Sequence, residues 1–198
     1  MLFDEITASS LIKVDLDGNA IDDSDYQVNP AGFTIHSAVH MSNHDLECVM
    51  HTHTTAGTSV ATQKDGLLPI NQHALAVTYT TGYHDYEGPA TDHDERARIV
   101  EDLGDNKILI LRNHGLLTVG RTIGEAFVWM FRAERACRMQ LAFQQTGAEL
   151  YPISEEVQKI SIERGRQFNS GNGHRPTGKL EWPAWLRKLD RIDPSYKN

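Results

Sequence analysis

The chain has 198 residues, a formal net charge of −8, 39% hydrophobic and 23% charged residues. That is an ordinary composition for one soluble domain with a sizeable core. It excludes a membrane span, which needs roughly 18 consecutive apolar residues, and its acidic balance with scattered Lys and Arg speaks against binding to nucleic acid. The two cysteines, Cys48 and Cys137, are too few for a disulfide framework. The opening MLFDEITASS lacks the positive n-region of a secretory signal, so a cytoplasmic protein is expected.

In chain order, Leu11, Val14 and Leu16 alternate with Lys13 and Asp15 ahead of the turn sequence Asp17-Gly18-Asn19, which predicts an entering strand and turn. Asn29 stands at an N-cap position and Pro30 at the first helical position, and Ala31, Ile35, Ala38 and Val39 follow at helical spacing. A helix from about Pro30 to Met41 results. Leu46 to His53 is a short apolar run that reads as a buried strand, and TAGTSVATQ reads as a short helix packed by Ala56, Val60 and Ala61. Two further near-continuous apolar runs, ALAVTYTTGY and KILILRNHG, read as buried strands. The second is stopped by Gly115 and followed by the strand-like LLTVG. Between them lies an acidic helical stretch closed by Gly104.

The clearest helix opens at Thr122, whose hydroxyl and the Glu125 carboxylate form a capping box. Its stripe of Ile123, Ala126, Phe127, Met130, Cys137 and Leu141 packs on the sheet. A polar helical segment follows Ser154, NSGNGHRPTG has linker composition, and the tail carries two tryptophans that dock on this subunit or on a neighbour. The expected organisation is one α/β domain over residues 1–150, a three-layer α/β/α arrangement around a mixed central sheet. Residues 151–198 then form a C-terminal helical segment, linker and docking tail.

Chemistry concentrates in the histidines. In a strand, residues i and i+2 share a face, so His51 and His53 present their rings side by side. His114 lies where a buried strand ends in a glycine turn, the kind of place where α/β folds expose ligands. Three histidines without a fourth protein ligand fit a catalytic zinc site with one open position. Such an ion polarises a carbonyl or hydroxyl oxygen. Taken alone, an HxH pair also fits two surface or hydrogen-bonded histidines.

His36 and His40 stand four apart on the predicted first helix, a spacing that suits ligands or a helix surface. His73, Tyr83, His84, Asp85, Tyr86 and Glu87 lie in segments that could line a site; His93 and His174 read as loop residues. GTSVA is no nucleophile elbow, because Ala61 replaces the final glycine, and GNG at Gly171 follows nothing strand-like and is no dinucleotide fingerprint.

Five blocks in order, NPAGFTIHSAVH, HTHTTAGTSVA, GLLPINQHALAV, YHDYEG and LRNHGLLTVGRTIGEAF, resemble the class II aldolase and adducin family over roughly residues 1 to 150. The resemblance implies the family's three-layer fold and carries zinc, or another divalent metal, to His51, His53 and His114. It implies chemistry on a small hydroxy-carbonyl or sugar-phosphate substrate through a metal-bound enediolate, by a lyase or isomerase. The family's usual homotetramer, with sites between subunits, is expected as well. The alternative is a non-catalytic protein of the adducin kind, which binds actin and spectrin and keeps a vestigial metal site.

Two departures from the aldolase pattern stand out. Gly32 occupies the place of the aldolases' acid/base glutamate, as in the adducin-like branch, so proton transfer would fall to His73, Tyr83 or Glu87, or be absent. The family's leading helices and NHIS-like strand, which supply much of the phosphate cradle, precede the position of Met1.

Overall fold

A computed structural model describes residues 2–88, 94–169 and 176–198. His93, His174 and Gly171, and most of the expected linker, lie outside the described residues.

Among the described residues, four strands form one mixed sheet in the order β1-β4-β3-β2. They are β1 (Cys48–Thr52), β2 (Thr81–His84), β3 (Ile108–Leu111) and β4 (Gly115–Gly120). β4 is antiparallel to both β1 and β3, whereas β2 runs parallel to β3. Strand alternation divides the core between the two sheet faces. Ile108, Ile110 and Leu116 point to one side with Ala56, Val60, Ala74, Val77, Trp129 and Ala133. Those partners come from α2 (Thr55–Ala61), α3 (Gln72–Thr78) and α5 (Ile123–Gln144). Leu109, Leu111, Leu117 and Val119 point to the other side, where they meet Ile35, Val39, Ile99 and Leu103. These belong to α1 (Pro30–Ser42) and α4 (Glu95–Leu103). The result is the three-layer α/β/α fold that the sequence predicts.

The helices start where their caps dictate. The Asn29 side chain accepts from the Ala31 and Gly32 amides, ahead of Pro30 at the start of α1. Thr122 accepts from the Glu125 amide at 3.1 Å, but the Glu125 carboxylate reaches the Arg121 amide at 2.8 Å. The capping box is therefore displaced by one residue.

Two elements differ from the sequence reading. ALAVTYTTGY is not one strand: residues up to Thr78 belong to α3, capped by Asn71 accepting from the Ala74 amide at 3.0 Å, and only Thr81–His84 enters the sheet. Local capping and the burial of Ala74, Leu75 and Val77 on one helix face override the β-branched and aromatic composition. The expected entering strand is a single Val14–Ala20 bridge; Leu11 and Leu16 are exposed, and among the described residues no sheet edge receives them.

The C-terminal segment forms α6 (Glu155–Asn169) and α7 (Glu181–Ile192). α6 lies on α3, where the Tyr79 hydroxyl donates to the Gly165 carbonyl at 3.2 Å. The tail docks on its own subunit: Trp182 and Trp185 pack tilted or edge-on against Phe127, with ring centroids 5.2 and 5.7 Å away, and Trp185 against Phe131 at 5.0 Å. Each such ring pair contributes roughly 0.5–1.5 kcal/mol beyond area burial.

Candidate metal centre

His51 is the fourth residue of β1, and His53 lies just beyond the strand end, on the same side. The register pairs Thr52 with Leu116 and His51 with Leu117, so the turn before β4 is carried to the same end of the sheet. This antiparallel pairing brings His114 to His51 across 63 residues of sequence.

Two residues make the close approach possible. A Cβ on Gly115 would meet the Thr52 carbonyl oxygen at 2.3 Å and His53 Cδ2 at 3.3 Å, so no side chain fits there. Asn113 turns the chain with φ of 56°, a left-handed conformation that Asn tolerates. Its amide is satisfied by the Ala61 carbonyl at 3.2 Å.

The three rings form a nearly equilateral triangle with centroids 4.6, 4.7 and 4.6 Å apart. Their Nε2 atoms converge: His51 to His53 is 2.7 Å and His51 to His114 is 3.2 Å. The His51 Nδ1–H donates to the Leu116 carbonyl at 2.9 Å, which leaves the Nε2 lone pair pointing into the cluster. Backbone anchorage of this kind fixes the ring and its tautomer in metal sites. Lone pairs at these separations repel unless a proton or a cation lies between them. A tetrahedral ion with bonds of about 2.0–2.1 Å to nitrogen sets its ligands about 3.3 Å apart. The longer spacing matches that figure, and the shorter one needs an opening of a few tenths of an ångström. The donor set therefore fits a divalent ion.

Electrostatics point the same way. Burial, reinforced by the imidazoles of His114, His53 and His36, depresses the His51 pKa from 6.5 to about 4, against the bond to Leu116. Burial, with His53 and His84, also lowers that of His114. Both rings are thus neutral and able to act as ligands at pH 7.

In front of His53 and His114 lies a cleft of about 660 Å³ whose lining residues include Thr55, Thr58, Ser59, Tyr86 and Asn113. The Tyr86 ring stands 6.4 Å from that of His114 and is 55% exposed, which leaves its phenol free to meet a ligand. Ala31 of α1 also lines this cleft. At the adjacent Gly32 an added Cβ would meet only Asn29, at 3.9 Å.

The other site candidates are placed differently. The Tyr83 hydroxyl accepts from the Leu67 amide at 3.0 Å, and its ring is covered by the Arg112 guanidinium at 4.2 Å. Glu87 takes both Arg98 donors, at 2.7 and 2.5 Å. His73 is half-buried on α3, which packs on the sheet face opposite to that of His51. His84 is 3% exposed, with Nδ1 2.7 Å from Asp102 and Nε2 3.2 Å from Glu95. Tyr86 is the cleft residue that the sequence reading leaves among its neighbours; its position in YHDYEG, beyond the end of β2, is the available signal.

Residues 1–141 match the family described as Class II Aldolase and Adducin N-terminal domain. A Pseudomonas aeruginosa protein carrying the provisional name aldolase class 2 protein is 50% identical over 200 residues, covering 100% of this chain and 76% of that protein. Alpha-adducin of Mus musculus is 40% identical over 202 residues, covering 97% of this chain but 27% of adducin. Among solved structures, an aldolase II superfamily protein from Pseudomonas syringae superposes with a TM-score of 0.90 at 46% identity, over 100% of this chain and 78% of that one. L-fuculose 1-phosphate aldolase from Glaciozyma antarctica PI12 superposes with a TM-score of 0.80 at 26% identity, over 100% and 75%. With its sequence blocks, its layers and its relatives in agreement, the chain belongs to the class II aldolase and adducin family.

Proposed function

We propose that the protein is a divalent-metal lyase or isomerase acting on a small hydroxy-carbonyl or sugar-phosphate compound. The observation that carries the reading is the convergence of the His51, His53 and His114 Nε2 atoms beside a cleft that Thr55, Ser59, Tyr86 and Asn113 help to line. His51, His53 and His114 would hold the ion, zinc in the first instance. Once bound, it supplies a Lewis acid for a carbonyl or hydroxyl oxygen. Thr55, Ser59 and Asn113 would offer donors and acceptors to substrate hydroxyls, and Tyr86, at the cleft, would move a proton. Glu87 is held by Arg98 and the Tyr83 hydroxyl by Leu67, so among the three candidates read from the sequence His73 is the one for a proton-transfer role, from a neighbouring copy.

A cytoplasmic homo-oligomer, a tetramer in the first instance, belongs to the same proposal. No helix among the described residues is long and apolar enough to cross a membrane. The exposed side chains of Leu2, Leu11, Leu16 and Ile21 support self-association; sedimentation tests it.

The decisive experiment follows proton exchange at carbon by NMR in D₂O, across a panel of ketoses, hydroxy-aldehydes and their phosphates. Metal-dependent exchange that His51→Ala and Tyr86→Phe each reduce by about 10²-fold or more is expected. Exchange indifferent to metal rules the reading out. The identity to alpha-adducin supports a second reading, a binding protein with actin as partner. Actin co-sedimentation, with no exchange on any compound of the panel, is its signature.

A further inference from the structure

We propose that Glu134, on the long helix α5, is a positioning residue for the metal centre, acting on His53 through Thr54. The inference rests on the metal site proposed above. Thr54 follows His53 directly, and its hydroxyl is a junction of three elements. It accepts the Gly57 amide at 3.1 Å, capping α2, and donates its single proton to Glu134 Oε2 at 2.5 Å. A hydroxyl-to-carboxylate bond of this length is charge-assisted and stronger than a neutral one. The Thr54 bond is the only hydrogen bond that Glu134 makes among the described residues.

Thr54 has leverage because His53 has little support of its own. His51 lies inside β1 and is fixed by the Leu116 carbonyl, whereas His53 is beyond the last ladder residue and is the exposed member of the triad. Its direction is set by the backbone that leads into α2. That helix also grips the other ligand-bearing segment: one turn after Thr54, the Thr58 hydroxyl donates to the His114 carbonyl at 3.0 Å. Helix α2 is thus a bracket between His53 and His114, and Glu134 is the anchor that ties the bracket to α5. A Cβ on Gly57 would run into Leu116 and Thr54 Oγ1, each at 2.8 Å, so the bracket lies tight against β4, whose Leu116 carbonyl fixes His51.

Outer-shell partners of metal ligands characteristically change metal affinity about 10–100-fold when removed. The test measures the Co²⁺ dissociation constant and the visible absorption of the Co²⁺ protein for wild type, Glu134→Ala, Glu134→Gln, Thr54→Val and Thr54→Ser. Melting temperatures of the metal-free proteins are recorded in parallel. Glu134→Ala and Thr54→Val are expected to weaken Co²⁺ about 10–100-fold and to shift the absorption bands. Glu134→Gln and Thr54→Ser, which keep the acceptor and the donor, should restore near wild-type binding. Thr54→Val carries the test from the other end of the bond if Glu134→Ala does not fold. A lower melting temperature with unchanged affinity and spectrum makes Glu134 a plain strut and overturns the inference alone. Wild type without affinity for Co²⁺ or Zn²⁺ removes the metal reading itself, and this inference with it.

Discussion

Two histidine environments lie close together in this molecule and are chemically opposite. His51, His53 and His114 face one another with no carboxylate among them, and His53 and His114 stand at the mouth of a cleft. His84 is almost fully enclosed, with both ring nitrogens turned toward the carboxylates of Asp102 and Glu95. The first arrangement leaves lone pairs converging, which a shared proton or a cation would relieve. The second sets a carboxylate oxygen against each ring nitrogen, so neither nitrogen faces a space where an ion could bind. Histidine as a residue type therefore says little; what faces each nitrogen separates a ligand from a core member.

The largest effect that can sharpen this contrast is at the enclosed ring. His84→Ala strands Glu95, 6% exposed, beside an empty space. Removing one partner of a buried pair costs about 3–5 kcal/mol, to be read in denaturant midpoints. The variant's surviving folded fraction is expected to bind metal as the wild type does.

The triad predicts the reverse pattern. Gly115→Ala drives a methyl into the Thr52 carbonyl, and overpacking of this kind costs about 1–3 kcal/mol; here the loss of stability should come with loss of metal. Chelation of the wild type should lower its stability by roughly 3 kcal/mol relative to protein with metal at a hundred times its dissociation constant, and chelator should leave His114→Ala unchanged. Calorimetry with and without chelator measures both.

Acidity probes the same contrast more gently. The folded-state pKa of His51, about 4, lies below the ordinary 6.5 because burial disfavours the charged ring. Between those values the unfolded chain binds more protons than the folded one, so stability falls as pH drops from 6.5 toward 4 and carries no penalty from this group above 6.5. Bound metal is lost in the same direction. Denaturant midpoints at pH 7 and pH 5 in chelator should separate for wild type and converge in His51→Ala, apart from a shift common to both.

The smallest effect is at Gly32. It sits in α1 with open space around it, so Gly32→Ala should stabilise by up to about 1 kcal/mol and leave metal binding unchanged.

Much of this was legible in the sequence because it is local. Strand periodicity puts His51 and His53 on one face, and the glycine after His114 marks the turn that meets them. The helix at Asn29-Pro30 and the helix at Thr122 announce themselves by their caps. Helix α3 was hidden because Val77 to Tyr83 has strand composition, while the Asn71 cap lies in a loop that composition does not single out. The role of Tyr83 could not be read either. Tyr83 and His84 alternate in β2, and the pairing with Ile110 and Leu111, set by tertiary packing, decides which core each one enters. The Thr54 to Glu134 bond spans 80 residues and has no sequence signature at all.

The most direct test is the metal content of purified wild type and of His114→Ala after equilibration with Zn²⁺ and removal of excess. About one ion per chain in the wild type, and none in the variant, is the predicted result. Equal metal in both proteins, or none in either, would contradict a metal centre closed by these three imidazoles.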